Sequence, residues 1–315
     1  MNVSHPQAQS GMSVAILMGT YNAQRFLAMQ LDSIAAQCWP NWTIWISDDG
    51  SRDASLAIIK DFAQKWGPER VKLLSGPCRG FAENFLSLAC NPTIQADYYA
   101  YADQDDIWEP DKLRRALTIL EENGREQPML YCSRTRLIDE NNQELGLSPL
   151  FRRKPSFANA LIQSLGGGNT MIFNRAARNL LREAGCVNII SHDWWTYLVV
   201  TGCGGSAVYD DYPSVRYRQH AANLIGCNLG LRNRLARLGQ LWRGDFRRWI
   251  DCNVSALQLI SQKLNRENNH LLFKFIRARR DWLLPRLLVL KQSGIYRQTL
   301  LGNLGLLFAV IFRKL

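Results

Sequence analysis

Short apolar runs alternate with stretches in which apolar residues recur every three or four positions over the first hundred residues. Ser13 to Met18 (SVAILM) reads as a buried strand, and Gln24 to Gln37 as a helix with Leu27, Leu31 and Ile34 on one face. Thr43 to Ser47 is the next strand. Asp53 to Trp66 follows as a helix that Ser51 or Asp53 is placed to cap. Val71 to Leu74, a helix near Ala82 to Ala89 and the strand Tyr98 to Ala102 continue the alternation. Strand, helix, strand, helix in this order predicts an α/β fold, a mostly parallel sheet covered on both faces. In such sheets ligands bind beyond the carboxyl ends of the strands.

Polar groups collect at those ends. The first strand runs into Gly19-Thr20-Tyr21-Asn22, the second into Asp48-Asp49-Gly50-Ser51, and the fourth into Asp103-Gln104-Asp105-Asp106. Adjacent carboxylates repel and raise one another's pKa unless a cation sits among them. The acidic run is therefore a solvated turn or a divalent-metal site, and the apolar flank Ile107-Trp108 favours the site. Carboxylates of this kind suit Mg2+ or Mn2+ held jointly with the phosphates of a diphosphate substrate. Glu109 and Asp111 are expected instead to open the next helix, where acids suit its positive end.

Charge divides the chain. From Asn228 to Leu315 there are 17 Lys and Arg against 4 Asp and Glu, whereas residues 1–227 hold the remaining 21 and 23, so the net +11 belongs to the C-terminal part. Leu231, Leu235, Leu238, Leu241 and Trp242 recur among Arg232, Arg234, Arg237, Arg243, Arg247 and Arg248, the pattern of a basic amphipathic helix. It reads either as packing against the preceding domain or as attachment to anionic lipid. No zinc-finger, basic-zipper or RNA-recognition pattern accompanies the charge, which argues against nucleic acid as a partner. Eight cysteines without a C-x-x-C pair suggest neither zinc nor a redox motif. The polar N-terminus MNVSHPQAQSG lacks the order of a secretion signal, so a cytoplasmic location is expected. No stretch reaches the roughly 20 apolar residues that span a bilayer.

Met18-Gly19-Thr20-Tyr21-Asn22, Gln30-Leu31-Asp32-Ser33-Ile34 with Gln37, Ile46 to Asp53 and Ala102 to Trp108 together resemble family 2 of the inverting glycosyltransferases, with the GT-A fold. Within it, ADQDDIW, Gly166-Gly167-Gly168-Asn169-Thr170-Met171, His192-Asp193-Trp194-Trp195, and Tyr217-Arg218-Gln219-His220 with Asn223 resemble the bacterial rhamnosyltransferase branch. The likeness covers about residues 13 to 226. It implies a GT-A catalytic domain over 1–227 and a helical extension over 228–315.

The resemblance also implies roles. Thr20, Tyr21 and Asp48 or Asp49 would hold the base and ribose of a nucleotide-sugar. Asp103 and Asp105 match the DXD element that carries the metal, with Asp106 an alternative to either because the acid run leaves the register open. Asp193 would be the base that takes the acceptor's proton, beside His192, where the wider family more usually has Glu. Arg79 and Asn84 after the third strand, and Arg218, would close over the donor, with His220 a further metal ligand. Trp194 and Trp195 would stack on a sugar face, or one of the two would be core, and Gly168 and Asn169 would lie on the acceptor side. No Q-x-x-R-W element is present, which argues against a processive synthase. The expected reaction moves L-rhamnose from dTDP-L-rhamnose, or a hexose from UDP-glucose or UDP-galactose, to a lipopolysaccharide core, O-antigen or related glycan or glycolipid at the inner membrane. A non-catalytic nucleotide-binding protein of the same fold is the alternative from another class.

Overall fold

A computed structural model describes residues 11–220 and 244–315. The N-terminal stretch Met1 to Ser10, Asn223, the expected boundary at 227/228 and the basic pattern from Leu231 to Arg243 lie outside the described residues.

The elements run β1 (Val14–Thr20), α1 (Leu27–Ala35), β2 (Trp42–Asp48), α2 (Ser55–Trp66), β3 (Val71–Ser75), α3 (Phe81–Cys90), β4 (Tyr98–Ala102), β5 (Ile107–Trp108), α4 (Lys112–Glu122), β6 (Met129–Ile138) and β7 (Glu144–Leu147). They continue through α5 (Phe157–Ala160), a single 3₁₀ turn (Gly168–Thr170), β8 (Ile172–Asn174), α6 (Arg175–Ala184), α7 (His192–Gly202) and β9 (Ser206–Arg218). Four helices follow: α8 (Asp245–Leu259), α9 (Arg266–Arg280), α10 (Leu283–Gln292) and α11 (Leu300–Ile311). The four strands expected from apolar runs are β1 to β4, and the three periodic stretches are α1 to α3, shorter than expected at α1 and α2 and extended by one residue at each end of α3. Neither expected cap of α2 forms: Ala54 occupies the cap position, while Asp53 accepts the amides of Ser55 and Gln24.

Among the described residues one sheet carries the order β3-β2-β1-β4-β8-β6-β9-β5, with β7 on β6. Strands β3, β2, β1 and β4 are parallel. The chain moves outward from β1 to β2 and β3, then crosses back to place β4 on the other side of β1. The winding direction therefore reverses between β1 and β4, and a crevice opens at their carboxyl ends. Thr20 and Asp103 sit there.

Alternation along β1 explains why both faces are covered. Val14, Ile16 and Met18 point into a core shared with Leu27, Leu31 and Ile34 of α1, Ile59 of α2 and Leu113 of α4. Ala15 and Leu17 point into the opposite core, with Phe85 and Leu86 of α3, Leu181 of α6 and Trp195 of α7. Each such buried aliphatic or aromatic side chain contributes on the order of 2 kcal/mol. The second core also takes in Phe246, Ile250 and Leu257 of α8 and Leu272 and Phe275 of α9. Asn268 ties these helices down, its amide donating to the carbonyl of Thr201 at 2.9 Å.

Candidate active site

At the end of β2 the carboxylates are consumed by local structure. Asp48 accepts the amides of Gly50 (3.2 Å) and Ser51 (2.8 Å) and the hydroxyls of Ser51 (2.6 Å) and Thr20 (3.0 Å). Gly50, at φ +88°, supplies the left-handed backbone that the turn needs. Asp49 reaches the loop after β3 and accepts the amides of Cys78 (2.6 Å) and Gly80 (3.0 Å). Asn84 is buried, donating to the Ser47 carbonyl at 2.9 Å while its Oδ1 has no partner. It fits because a Cβ on Gly19 or on Gly76 would come within 3.2 and 3.0 Å of its side-chain amide. Arg79 is exposed and lies 3.7 Å from Glu83 one turn away. Tyr21 projects at the rim, 55% exposed. Its amide donates to Gln104 Oε1 (2.7 Å), and its carbonyl accepts from Gln104 Nε2 (3.1 Å). One side chain thus stitches the β1 end to the β4 end.

The four polar residues after β4 divide by direction. Asp106 is fully buried, accepting from Asn169 Nδ2 at 2.5 Å and from the Arg218 amide at 3.1 Å. Burial, with Asp105 and Asp103 adding to it, raises its pKa well above the carboxylate range. Its oxygens are occupied from within, so Asp106 supports the turn, and Asp103 and Asp105, both only half-buried, are the carboxylates of this turn that could hold an ion. Asp103 is pushed up to about 8 by burial first, then by the charges of Asp105 and Asp193. Asp105 Oδ2 lies 2.7 Å from His220 Nε2. Arg218, expected on the donor, is committed inward: Nε donates to the Asp105 carbonyl (2.9 Å), Nη1 reaches Asn142 Oδ1 (2.7 Å), and the guanidinium lies 4.4 Å from the Phe26 ring centroid. Glu109 and Asp111 lead into α4 as expected, Asp111 at its cap position, but their side chains make no cap bond and brace β9 instead, Glu109 pairing with Arg216 and Asp111 accepting from the Tyr212 hydroxyl.

The other side of the crevice is the start of α7. Asp193 lies in its first turn, favourable for an anion. Oδ2 accepts from the Ser164 hydroxyl at 3.3 Å, and Oδ1 is buried with no hydrogen-bond partner. His192 is buried with neither nitrogen bonded, stacked on Phe85 at 3.9 Å and edge-on to Tyr101 at 4.6 Å. Burial lowers its pKa to about 4, so the imidazole is neutral at physiological pH. Gly168 lies against the ring, and a Cβ there would approach Nε2 to 2.3 Å. Asn169 is buried in the bonds to Asp106 and Lys112. Trp194 and Trp195, expected as sugar platforms, are both core: Trp194 donates to the Ala160 carbonyl at 2.7 Å, and Trp195 is fully buried. A helix buried on all sides, as α7 is, leaves no aromatic face free.

A family model, glycosyl transferase family 2, matches residues 15–182, more than half of the chain and all of the crevice except α7 and the end of β9. The chain belongs to glycosyl transferase family 2. It is 28% identical over 250 residues to the dTDP-rhamnosyl transferase RfbG of Shigella flexneri, covering 76% of this chain and 84% of that one. It is 27% identical over 111 residues to the Escherichia coli UDP-Glc:alpha-D-GlcNAc-diphosphoundecaprenol beta-1,3-glucosyltransferase WfgD, a match to 35% of this chain and 42% of that one. The solved structure of S. aureus TarS 1–349 with UDP-GlcNAc superposes with a TM-score of 0.55 at 13% identity, covering 90% of this chain and 89% of that one. The Pyrobaculum calidifontis mannosyltransferase with GDP-Man and Mn2+ gives 0.51 at 15% identity, covering 96% and 86%. These neighbours establish the GT-A fold of this family 2 chain.

Sequence reasoning missed Gln104, Ser164 and Lys112 as parts of the site. Lys112 is fully buried, donates to the Asn169 carbonyl at 2.9 Å and lies 4.4 Å from the Trp108 ring centroid. Burial lowers its pKa to about 7, opposed by Asp106 first among its anionic neighbours. The available signal was its position beside the apolar stripe Leu113, Ala116, Leu117 and Leu120, which turns that edge of α4 inward.

Proposed function

We propose that this family 2 glycosyltransferase inverts the anomeric centre of L-rhamnose as it moves the sugar from dTDP-L-rhamnose to an acceptor hydroxyl on a lipopolysaccharide core, O-antigen or related glycan. The observation that carries the reading is the convergence, at the crevice between β1 and β4, of Asp103, Asp105 and an Asp193 whose Oδ1 has no partner. Asp193 Oδ1 accepts the acceptor's proton as its oxygen attacks the anomeric carbon. The carbon–oxygen bond to the diphosphate breaks on the opposite face, and dTDP leaves with the electron pair. A base in such a position contributes about 10²–10⁴-fold. Ser164 orients the carboxylate through its other oxygen. Neutral His192 packs behind the base and keeps that side of it dry.

Among the described residues no three acidic, histidine or cysteine side chains form a complete metal cage. The residues nonetheless fit Mg2+ or Mn2+: two half-buried carboxylates, Asp103 and Asp105, repel each other and supply hard oxygen donors to be completed by phosphate oxygens, with His220, 2.7 Å from Asp105, a borderline nitrogen donor beside them. Bound there, the ion would neutralise charge developing on the departing diphosphate. Thr20 and Tyr21 border the nucleoside end, and Asp48, Asp49 and Asn84 shape it.

Rhamnose as donor is supported by the long match to the Shigella flexneri relative. UDP-glucose is the second reading, favoured by the shorter match to the glucosyltransferase. Hydrolysis of dTDP-rhamnose, UDP-glucose and UDP-galactose with Mn2+ or Mg2+ tests the donor; preference for a UDP-hexose overturns rhamnose, and no turnover with metal-independent nucleotide binding overturns the transferase. Truncated acceptors then locate the accepting hydroxyl.

A further inference from the structure

The large apolar side chains that this structure leaves in solvent are concentrated in one place. Of the 17 that are exposed among the described residues, ten lie between Trp282 and Phe312. Scattered single exposures need no explanation, but a contiguous set marks an interaction site.

Helix α11 shows why this set is a surface rather than a loose end. Leu300, Leu304, Leu307 and Ile311 are spaced 4, 3 and 4 apart, which places them on one face, and they are 86%, 62%, 44% and 43% exposed. The opposite face, Leu306, Ala309 and Val310, is buried against the protein. No charged residue occurs within α11. Helix α10 lies alongside: Arg286 Nη1 donates to the Val310 carbonyl at 2.7 Å, fixing one helix to the other. Helix α10 adds Leu284 and Leu288, each 58% exposed and one turn apart, and exposed Trp282 stands at its start.

Length and charge identify the occupant. Helix α11 has 12 residues, about 18 Å at 1.5 Å per residue, against the roughly 30 Å of a bilayer core, so it can lie along a membrane but not span one. No described helix is long and apolar enough to cross. From Trp282 to Leu315 the chain has five Lys and Arg and no Asp or Glu. Lys291 closes α10, and Arg313-Lys314 directly follows α11. An apolar stripe with a tryptophan at one margin, exposed Lys291 and Arg313 with Lys314 at its ends, and Asp281 the one acid adjoining it in sequence fits the headgroup boundary of an anionic leaflet.

We infer that the exposed face of α10 and α11 seats this glycosyltransferase on an anionic lipid surface, apolar side chains at the headgroup boundary and cations on the phosphates. The inference deepens the proposed function by making the membrane, where a lipid-borne acceptor resides, a direct partner of the chain. Leu290 of α10 and Leu306 and Val310 of α11 belong to the same core as Leu17 and Phe85 beside the crevice, which makes this face part of the same body.

Flotation of the full chain with vesicles of phosphatidylcholine alone, and with phosphatidylglycerol added, tests it. The expected result is co-flotation with the anionic vesicles, weakened by salt and reduced at least tenfold in Leu304→Glu/Leu307→Glu, with Leu300→Glu/Leu301→Glu as an independent second variant. Leu145→Glu, at an exposed leucine on β7, floats as the parent does. Flotation of both double variants like the parent, or no binding by the parent, overturns the inference. Equal binding to both vesicle types overturns the role of charge. A parent dimer that both variants convert to monomer, without vesicle binding, assigns the face to a second copy instead. Donor hydrolysis measured without vesicles, expected unchanged in the variants, reads the catalytic proposal separately.

Discussion

Two turns of the same sheet, two positions of the winding apart, use aspartate in opposite ways. After β2, Asp48 and Asp49 accept six hydrogen bonds from Thr20, Gly50, Ser51, Cys78 and Gly80 and are satisfied by the fold itself. After β4, Asp103 and Asp105 stand close to each other and to Asp193, with one oxygen of Asp193 left unbonded. Carboxylates bonded to amides stabilise the state they sit in, whereas carboxylates crowded without such bonds destabilise it and wait for a cation or a proton. Sequence proximity to a strand end marks both turns; hydrogen-bond satisfaction separates scaffold from site. Asp106 shows that the division runs through a single turn, since it belongs with Asp48 by its bonding and with Asp105 by its position.

The comparison is most sharply tested by removing charge from the unsatisfied group. Asp193→Asn and Asp103→Asn should each lower transfer by about 10²–10⁴-fold, roughly 3–5 kcal/mol, while leaving the melting temperature unchanged or higher. Transfer assays paired with thermal melts check this, and a melting loss as large as that of an Asp48 variant would erase the distinction. Next, Lys112→Met should destabilise by about 1–3 kcal/mol in a urea titration, because it leaves the buried Asn169 carbonyl without its donor. The third test uses pH. His192 titrates near 4 when folded and 6.5 when unfolded, so the unfolded chain binds the extra proton between those values. Stability from this group is complete above pH 6.5 and falls by at most about 3 kcal/mol on acidification to 4. The difference between the parent and His192→Phe across that window isolates it. The smallest effect is the loss of Asp48: Asp48→Ala should cost about 2 kcal/mol of stability, with turnover falling only as folded protein is lost.

How much was readable beforehand follows the same line. Strands β1 to β4 and helices α1 to α3 were legible because continuous apolar runs and a 3.6-residue period are properties of single segments. The crevice position was legible too, since the order of strands and helices implies where strand ends gather. Roles within it were not. Whether Asp106 or Asp105 faces the mouth depends on Asn169 and Arg218, 63 and 112 residues further along. Arg218 looked like a phosphate ligand, yet its guanidinium is held among Asp105, Asn142 and Phe26. Trp194 and Trp195 looked like platforms because aromatic pairs occur at sugar sites; the burial of α7 on every side is a tertiary fact that two residues do not carry. The bonding of Glu109 and Asp111 to β9 was hidden for the same reason, β9 being a hundred residues away.

The contact between Gly168 and His192 has a consequence for how this chain can change. With a hypothetical Cβ only 2.3 Å from the imidazole, the two positions are not independent letters. Any side chain at 168 requires a smaller neighbour at 192, and a bulkier ring at 192 needs the glycine all the more. In a combinatorial library the two should show strong epistasis, with Gly168→Ala rescued by shortening residue 192 and by little else. The glycine-rich segment and the first turn of α7, 24 residues apart, thus limit each other's substitutions.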